Sequence, residues 1–473
     1  MTGRRNDVRL SATSGAGSAD PPAVFSNEWS LDDPTPDPGS AVSRPQVGRD
    51  TITTLAFRLG GLPFTFGVTV VTSRYLLPTG RGAFVLALLT VTIAATLLGN
   101  VGTAATHELS RKEVERHLVV GQALLMSVVL GLLGMLALFP IDYALADQGF
   151  RRVSFVAAGL PGLLLVQTLS AALVGVGRLA LANLIQFALT FVTLAGMLGF
   201  VLGIHRGTTG AVVAWVMAQT VVAALGLLAA RDLWWPLQFG ALPARRRASM
   251  LMLGIRLGLV NLVGQLNYRI ELIILQVFHG LAQVGLYSLA ISLAELLWLV
   301  AGALAAATVA PVVAAVDDAA AAAVVASAVR WALLGTALGG LGVGLGGWFL
   351  VVPIFGSPFE SSIHPLLLLL PGVVAFAPGV LTAVYFSMRL GRTRYPLQGA
   401  VVSLCVTTVL AIVLVPGHLG VGAAVACSAG YGISGVLNIL WFARETRVPA
   451  RDLVPSLADV KAVPALMRGL LPG

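Results

Sequence analysis

Between Thr51 and Ala443 the chain runs through a succession of apolar stretches separated by short polar or charged segments. A run of roughly 20 apolar residues matches the ~30 Å hydrocarbon core of a bilayer. Such runs fall near 52–73, 82–106, 117–139, 153–174, 180–203 and 209–230, then near 250–277, 284–310, 331–354, 364–388, 396–416 and 420–442. The pattern predicts an all-α polytopic membrane protein with about twelve transmembrane helices.

Short motifs recur in the same order along the two sets of runs. Arg58-Leu59-Gly60 returns as Arg256-Leu257-Gly258, and Leu160-Pro161-Gly162 as Leu370-Pro371-Gly372. Gly177-Arg178 returns as Gly391-Arg392, and Gly210-Ala211 as Gly422-Ala423. This predicts two repeated six-helix bundles, 51–231 and 250–443, around a central cavity. An even number of spans per half keeps both halves in one orientation, so the relating axis runs along the membrane normal. A basic cytoplasmic linker, 232–249, joins them. Asp318 reads as the N-cap of a short Ala-rich helix ahead of Arg330.

Composition agrees. Mean hydropathy is +0.89 and only 11% of residues are charged, too few for a soluble surface on 473 residues. The net charge of +9 sits at helix ends, so nucleic acid is not an expected partner. Most of the 30 Arg and Lys residues fall on one side of the spans. Arg74, Arg81, Arg151, Arg152 and Arg206 fall on the other. The positive-inside rule then places both termini in the cytoplasm. Residues 1–50, rich in Ser, Pro, Gly and Asp, read as a disordered cytoplasmic tail, and 444–473 as a cytoplasmic or interfacial tail. Cys405 and Cys427 fall inside helices and read as free thiols.

The chain offers no enzyme signature. Its two lysines, Lys112 and Lys461, follow no glycine, so a P-loop is missing. Its six histidines lack zinc-site spacing, and no serine sits in a Gly-x-Ser-x-Gly elbow. No metal, cofactor or catalytic residue is expected.

The informative residues are charges and amides inside spans, where a charge costs about 2.5–3.5 kcal/mol on insertion scales. Thr51, Thr54, Arg58, Thr65, Thr69 and Thr72 form a polar stripe on the first helix. Arg58 either faces the cavity or snorkels to the interface. On the seventh, Asn261, Gln265 and Arg269 recur every four residues, with Arg256 and Glu271 on another face. Arginines at different depths can hold an anionic group by their planar donor fork, or serve structural ion pairs. Glu295 on the eighth helix either carries a coupling proton or sodium ion, with Glu271, or pairs with Arg58 or Arg256. Pro161, Pro371 and Pro378 are hinge candidates or packing kinks.

Several segments resemble the polysaccharide-transporter family of oligosaccharide flippases, within the superfamily that holds multidrug extruders and lipid II flippases. Ser73-Arg74-Tyr75-Leu76-Leu77-Pro78 with Gly82 resembles the family's Ala-Arg-x-Leu-Gly-Pro segment, with Leu77 in place of the usual Gly. Asn267-Tyr268-Arg269-Ile270-Glu271 resembles its seventh helix, where Asp is more usual than Glu271. Val284-Gly285-Leu286-Tyr287-Ser288-Leu289-Ala290 with Leu293-Ala294-Glu295 is similar to its eighth, and Leu414-Val415-Pro416 with Gly422-Ala423-Ala424 to the last junction. The resemblance implies a non-enzymatic flippase of the bacterial cytoplasmic (inner) membrane. Its cargo would be an undecaprenyl-pyrophosphate-linked (polyprenyl-pyrophosphate-linked) glycan. Its partners would be membrane lipids, a polysaccharide polymerase and glycosyltransferases. A cation-coupled multidrug extruder of the same superfamily is the alternative, and a non-transporting membrane scaffold a third reading.

Overall fold

The computed structural model describes residues 44–111, 113–145, 153–238 and 242–456. The tails 1–43 and 457–473 lie outside the described residues, and so does the side chain of Arg58. Among the described residues all regular structure is helical. Ten helical stretches are long and apolar enough to cross a membrane.

Two of the ten are hairpins. Leu59–Ser110 has 52 residues and Arg394–Thr446 has 53; at 1.5 Å per residue either would reach almost ~80 Å if straight, far beyond a bilayer. The first reverses at Leu77 (φ 58°, ψ 174°), and the second at Leu419 (φ 55°, ψ −139°). Reversal is visible in contacts. Arg81 Nη1 donates to the Thr69 carbonyl, twelve residues back, and Gly430 lies against Thr407 and Ser403. Pro78 helps the first reversal by disfavouring αR backbone at Leu77.

Counting each hairpin twice gives twelve spans, which we number α1 (44–76), α2 (78–110), α3 (Arg116–Leu145), α4 (Phe155–Gly175), α5 (Leu179–Gly203), α6 (Gly207–Ala229), α7 (Ala244–Asn267, resumed at Ile270–His279), α8 (Leu281–Val313), α9 (Asp318–Phe355), α10 (Ser357–Arg389), α11 (394–418) and α12 (420–446). The N-cap of α9 is Asp317, whose carboxylate accepts from the Ala320 amide at 2.7 Å. The Ala-rich stretch expected as a separate helix from Asp318 instead runs on unbroken into the span, because no Gly or Pro interrupts it before Gly335.

The sequence repeats occupy matching structural positions. Gly177 and Gly391 both take positive φ, 79° and 63°, after α4 and α10. Each is followed by an arginine that pairs with a carboxylate near the end of the last helix of its half: Arg178 with Asp232, just past α6, and Arg392 with Glu445, in the last turn of α12. Gly162 of the first Leu-Pro-Gly packs on the Gln219–Thr220 backbone of α6. Gly372 of the second packs on Ser428 of α12.

The halves meet where α2 and α8 begin. A Cβ added to Gly82 would overlap the carbonyl oxygen of Leu281, and one added to Gly285 would overlap that of Pro78. Each glycine thus admits the backbone four residues before the other, a reciprocal contact of the kind a two-fold axis produces. From that crossing both helices leave in the same direction, since Val85 to Thr92 and Ser288 to Glu295 line one cavity. An axis along the helices relates such halves, as the even span count requires.

Candidate functional site

Two adjacent chambers lie between the halves. The larger is about 650 Å³, lined by Thr96, Asn100 and Thr103 of α2, Gln167 of α4, Asn261, Gln265 and Tyr268 of α7, Ser387 of α10 and Thr393 ahead of α11. The smaller, about 280 Å³, is lined by Gln265, Arg269, Ser288, Ser292 and Glu295 with apolar residues of α2 and α8. Gln265 lines both.

The local chain path explains who faces where. α7 breaks after Asn267, with Arg269 at φ −142° and ψ −5°, outside helical backbone, as the cap of the resumed helix. Asn261 lines only the larger chamber, whereas past the break Arg269 lines the smaller one with Gln265. There Arg269 Nη1 donates to Glu295 Oε1 at 2.6 Å. Glu295 therefore has a partner from α7. Arg256 is exposed one turn before Val260, at the chamber's Thr103 end, and lines neither chamber.

Glu271 is 1% exposed and its Oε2 has no hydrogen-bond partner among the described residues. It borders a third space of about 10 Å³ with Glu295, Trp298, Cys427 and Tyr431. Cys427 and Cys405 are both free. Tyr268 stacks into an aromatic group with Trp298, Phe376 and Tyr431, at 4.9, 6.1 and 6.2 Å between ring centroids.

Arg81 is the residue that sequence reading misplaced, as a loop arginine. It is 3% exposed. Its Nε donates to Ser288 Oγ at 3.0 Å, and its Nη1 to Thr72 Oγ1 at 2.7 Å, Ser73 Oγ at 3.0 Å and the Thr69 carbonyl. Its Nη2 donates to Ser292 Oγ at 3.1 Å and the Ser288 carbonyl. All these acceptors are neutral, so a buried cation here is held by hydrogen bonds without a carboxylate, an expensive arrangement. Nearby, Arg74 caps α9 by donating to the carbonyls of Pro353 and Ile354. Together with the glycine crossing, these bonds close the space between the halves at the Arg81 end. The threonine stripe of α1 is partly spent on its own backbone: Thr65, Thr69 and Thr72 each bond a carbonyl four residues back.

The three prolines sit differently. Pro161 occupies the first turn of its helix segment, after a break at Gly159. Pro371 and Pro378 lie within a continuous helix that widens into a π-helical turn at Tyr385–Arg389.

At the Thr103 end, Arg178 donates to both carboxylate oxygens of Asp232, at 2.9 and 2.5 Å. That hydrogen-bonded guanidinium holds the Asp232 carboxyl below its usual range. Arg246, just inside α7, bonds Glu108 and Glu113 at 2.8 and 2.6 Å and ties the linker to α2.

Comparison with known proteins places this geometry. A multidrug-resistance transporter of the MATE family in an inward-facing conformation matches with a TM-score of 0.68 and 17% identity, over 84% of this chain and 98% of that one. The lipid II flippase MurJ in an inward closed conformation matches with 0.68 and 14% identity, over 90% and 93%. A transporter from Pyrococcus furiosus, described as having a binding pocket of reverse polarity, matches with 0.58 and 15% identity, over 85% and 95%. At these identities the likeness is one of fold. A search of curated protein sequences finds no match. The family model for polysaccharide biosynthesis proteins matches residues 47–316, more than half of the chain. This multi-pass membrane protein therefore belongs to the polysaccharide biosynthesis protein family.

Proposed function

We propose that the protein flips a lipid-linked oligosaccharide, of the undecaprenyl-pyrophosphate type, from the inner to the outer leaflet for cell-surface polysaccharide synthesis. One observation carries this reading. A polar cavity between the two halves narrows to the Arg269–Glu295 pair and is closed beyond it by Arg81 and the glycine crossing. A cavity closed at one end, between two repeated bundles, is the geometry of alternating access. The distribution of Arg and Lys supports the Arg81 end as the outer one and the Arg256 end as the cytoplasmic one.

In this reading the glycan enters from the cytoplasmic leaflet. Arg256 at the mouth attracts the diphosphate, and Arg269 offers it a donor fork once Glu295 is neutralised. Glu295 and Glu271 are the coupling candidates. The space of about 10 Å³ beside Glu271 suits a single water or small ion. The halves 51–231 and 250–443 are the moving bodies, with 232–249 as connector and Pro161, Pro371 and Pro378 as hinges. The test is a deletion strain. Lipid-linked glycan should accumulate on the inner leaflet while surface polysaccharide falls. Normal surface polysaccharide without accumulation would overturn the reading.

A second reading, a cation-coupled extruder of organic cations, is favoured by Glu271, a buried carboxylate that lacks a basic hydrogen-bond partner. It predicts that deletion sensitises cells to cationic dyes and leaves the glycan pool unchanged.

A further inference from the structure

We infer that the 650 Å³ chamber is a subsite for uncharged sugar residues, one that rejects glycans carrying a carboxylate there. The inference rests on the flippase reading and names the class of sugar that reading leaves open.

The chamber differs in chemistry from the space beside it. Among the described residues that line it, none carries a charge. Its polar groups are amides and hydroxyls, in a cavity whose smaller neighbour holds Arg269 and Glu295. A sugar hydroxyl both donates and accepts, and so does a carboxamide, so the two classes match.

Several of these amides are free for a ligand. Gln167 and Gln265 face the chamber without a hydrogen-bond partner among the described residues. Asn261 is oriented: its Nδ2 donates to Asn100 Oδ1 at 2.8 Å, while Asn100 Nδ2 donates to the Thr96 carbonyl at 2.7 Å. The Asn261 Oδ1 is left to accept from a guest. Tyr268 also lines the chamber. The volume lies inside the range of about 300–1,000 Å³ typical of small-molecule sites, enough for a few sugar rings.

A carboxylate in this chamber would lose its water and find no cation on the described walls. Arg269 is engaged by Glu295, and Arg256 lies beyond the mouth. A hydroxyl in the same place is satisfied by the amides. The readers also come from both halves, Gln167 from α4 and Asn261 and Gln265 from α7. Separating the halves therefore divides the subsite and releases the sugar.

The test uses full-length protein in liposomes and two probes. One is a prenyl-diphosphate-linked triglucoside. The other carries glucuronic acid in place of one glucose. Transfer is scored by exposure of the sugar to a carbohydrate-cleaving enzyme added outside. We expect the neutral probe to move at least about tenfold faster than the acidic one. Gln167→Lys, which supplies a cation to the chamber, should narrow that gap without lowering the melting temperature. Equal or faster transfer of the acidic probe by the wild type would overturn the inference and leave the flippase reading standing. An unchanged gap in a well-folded Gln167→Lys would likewise count against the chamber as the reader. Transfer of neither probe would remove the flippase reading, and the inference with it.

Discussion

Arg178 grips both carboxylate oxygens of Asp232, 54 residues ahead, and Arg392 grips Glu445, 53 residues ahead. Each arginine follows a positive-φ glycine, and each carboxylate sits at the end of the last helix of its half, Asp232 just past α6 and Glu445 in the last turn of α12. The contact thus fastens the end of the fourth helix of each half to the end of the sixth.

For the first of these pairs the pH dependence has a definite sign. The hydrogen bond from Arg178 lowers the folded carboxyl of Asp232 below its usual 3.8. A lowered carboxyl stabilises the fold above the unfolded pKa and loses that contribution as the pH falls through the folded one. Melting of the wild type and Asp232→Asn in detergent should differ at neutral pH and converge on acidification below 3.8. Both groups are solvent-exposed, so the difference is small. A gap that widens on acidification would contradict the assignment.

Leu77 occupies backbone at φ 58° and ψ 174°, a region that is essentially glycine's own. Its side chain is 54% exposed and loses little burial if removed. Leu77→Gly should therefore stabilise the protein by about 1 kcal/mol or more, while Leu77→Val should destabilise it. Thermal unfolding of the purified variants decides this, and a lower melting temperature for Leu77→Gly would refute it.

Arg269 and Glu295 act as a unit. Removing one partner of a hydrogen-bonded ion pair leaves the other uncompensated, at a cost of about 2–5 kcal/mol. Arg269→Ala and Glu295→Gln should each cut glycan export by about tenfold or more. The double variant should recover expression and stay inactive in export. Full recovery of export by the double variant would reduce the pair to a structural tie.

The closed end offers a probe of conformation. In a background with Cys405→Ser and Cys427→Ser, a thiol at Ser292 should resist a membrane-impermeant reagent, because Arg81 and the crossing cover it. Gly82→Ala forces the backbone of Leu281 away, and labelling should rise. Equal labelling with and without Gly82→Ala would show that the crossing is not the barrier.

The spans and the repeat were legible because they depend on local runs and short motifs. Leu77 was visible too, as a departure from a glycine, although its positive φ was not. Arg81 was not legible. It sits beside a turn, and its burial depends on Ser288 and Ser292, more than 200 residues away. Residues Asn261, Gln265 and Arg269 share a spacing of four, which fits one unbroken helix. With the break at Tyr268, Gln265 and Arg269 share the smaller chamber, and Asn261 lines the larger one without Arg269. Gln167 has no spacing signal at all, since only the packing of α4 beside α2 brings it to the cavity.

The crossing of Gly82 and Gly285 also bears on how such a chain can change over generations. In a symmetric pair of identical half-length subunits, one glycine codon would serve both sides of the contact. In the fused chain each side has its own codon, and losing either one opens the same joint. The two halves are free to diverge almost everywhere else, but at this point neither can drift without the other sharing the damage.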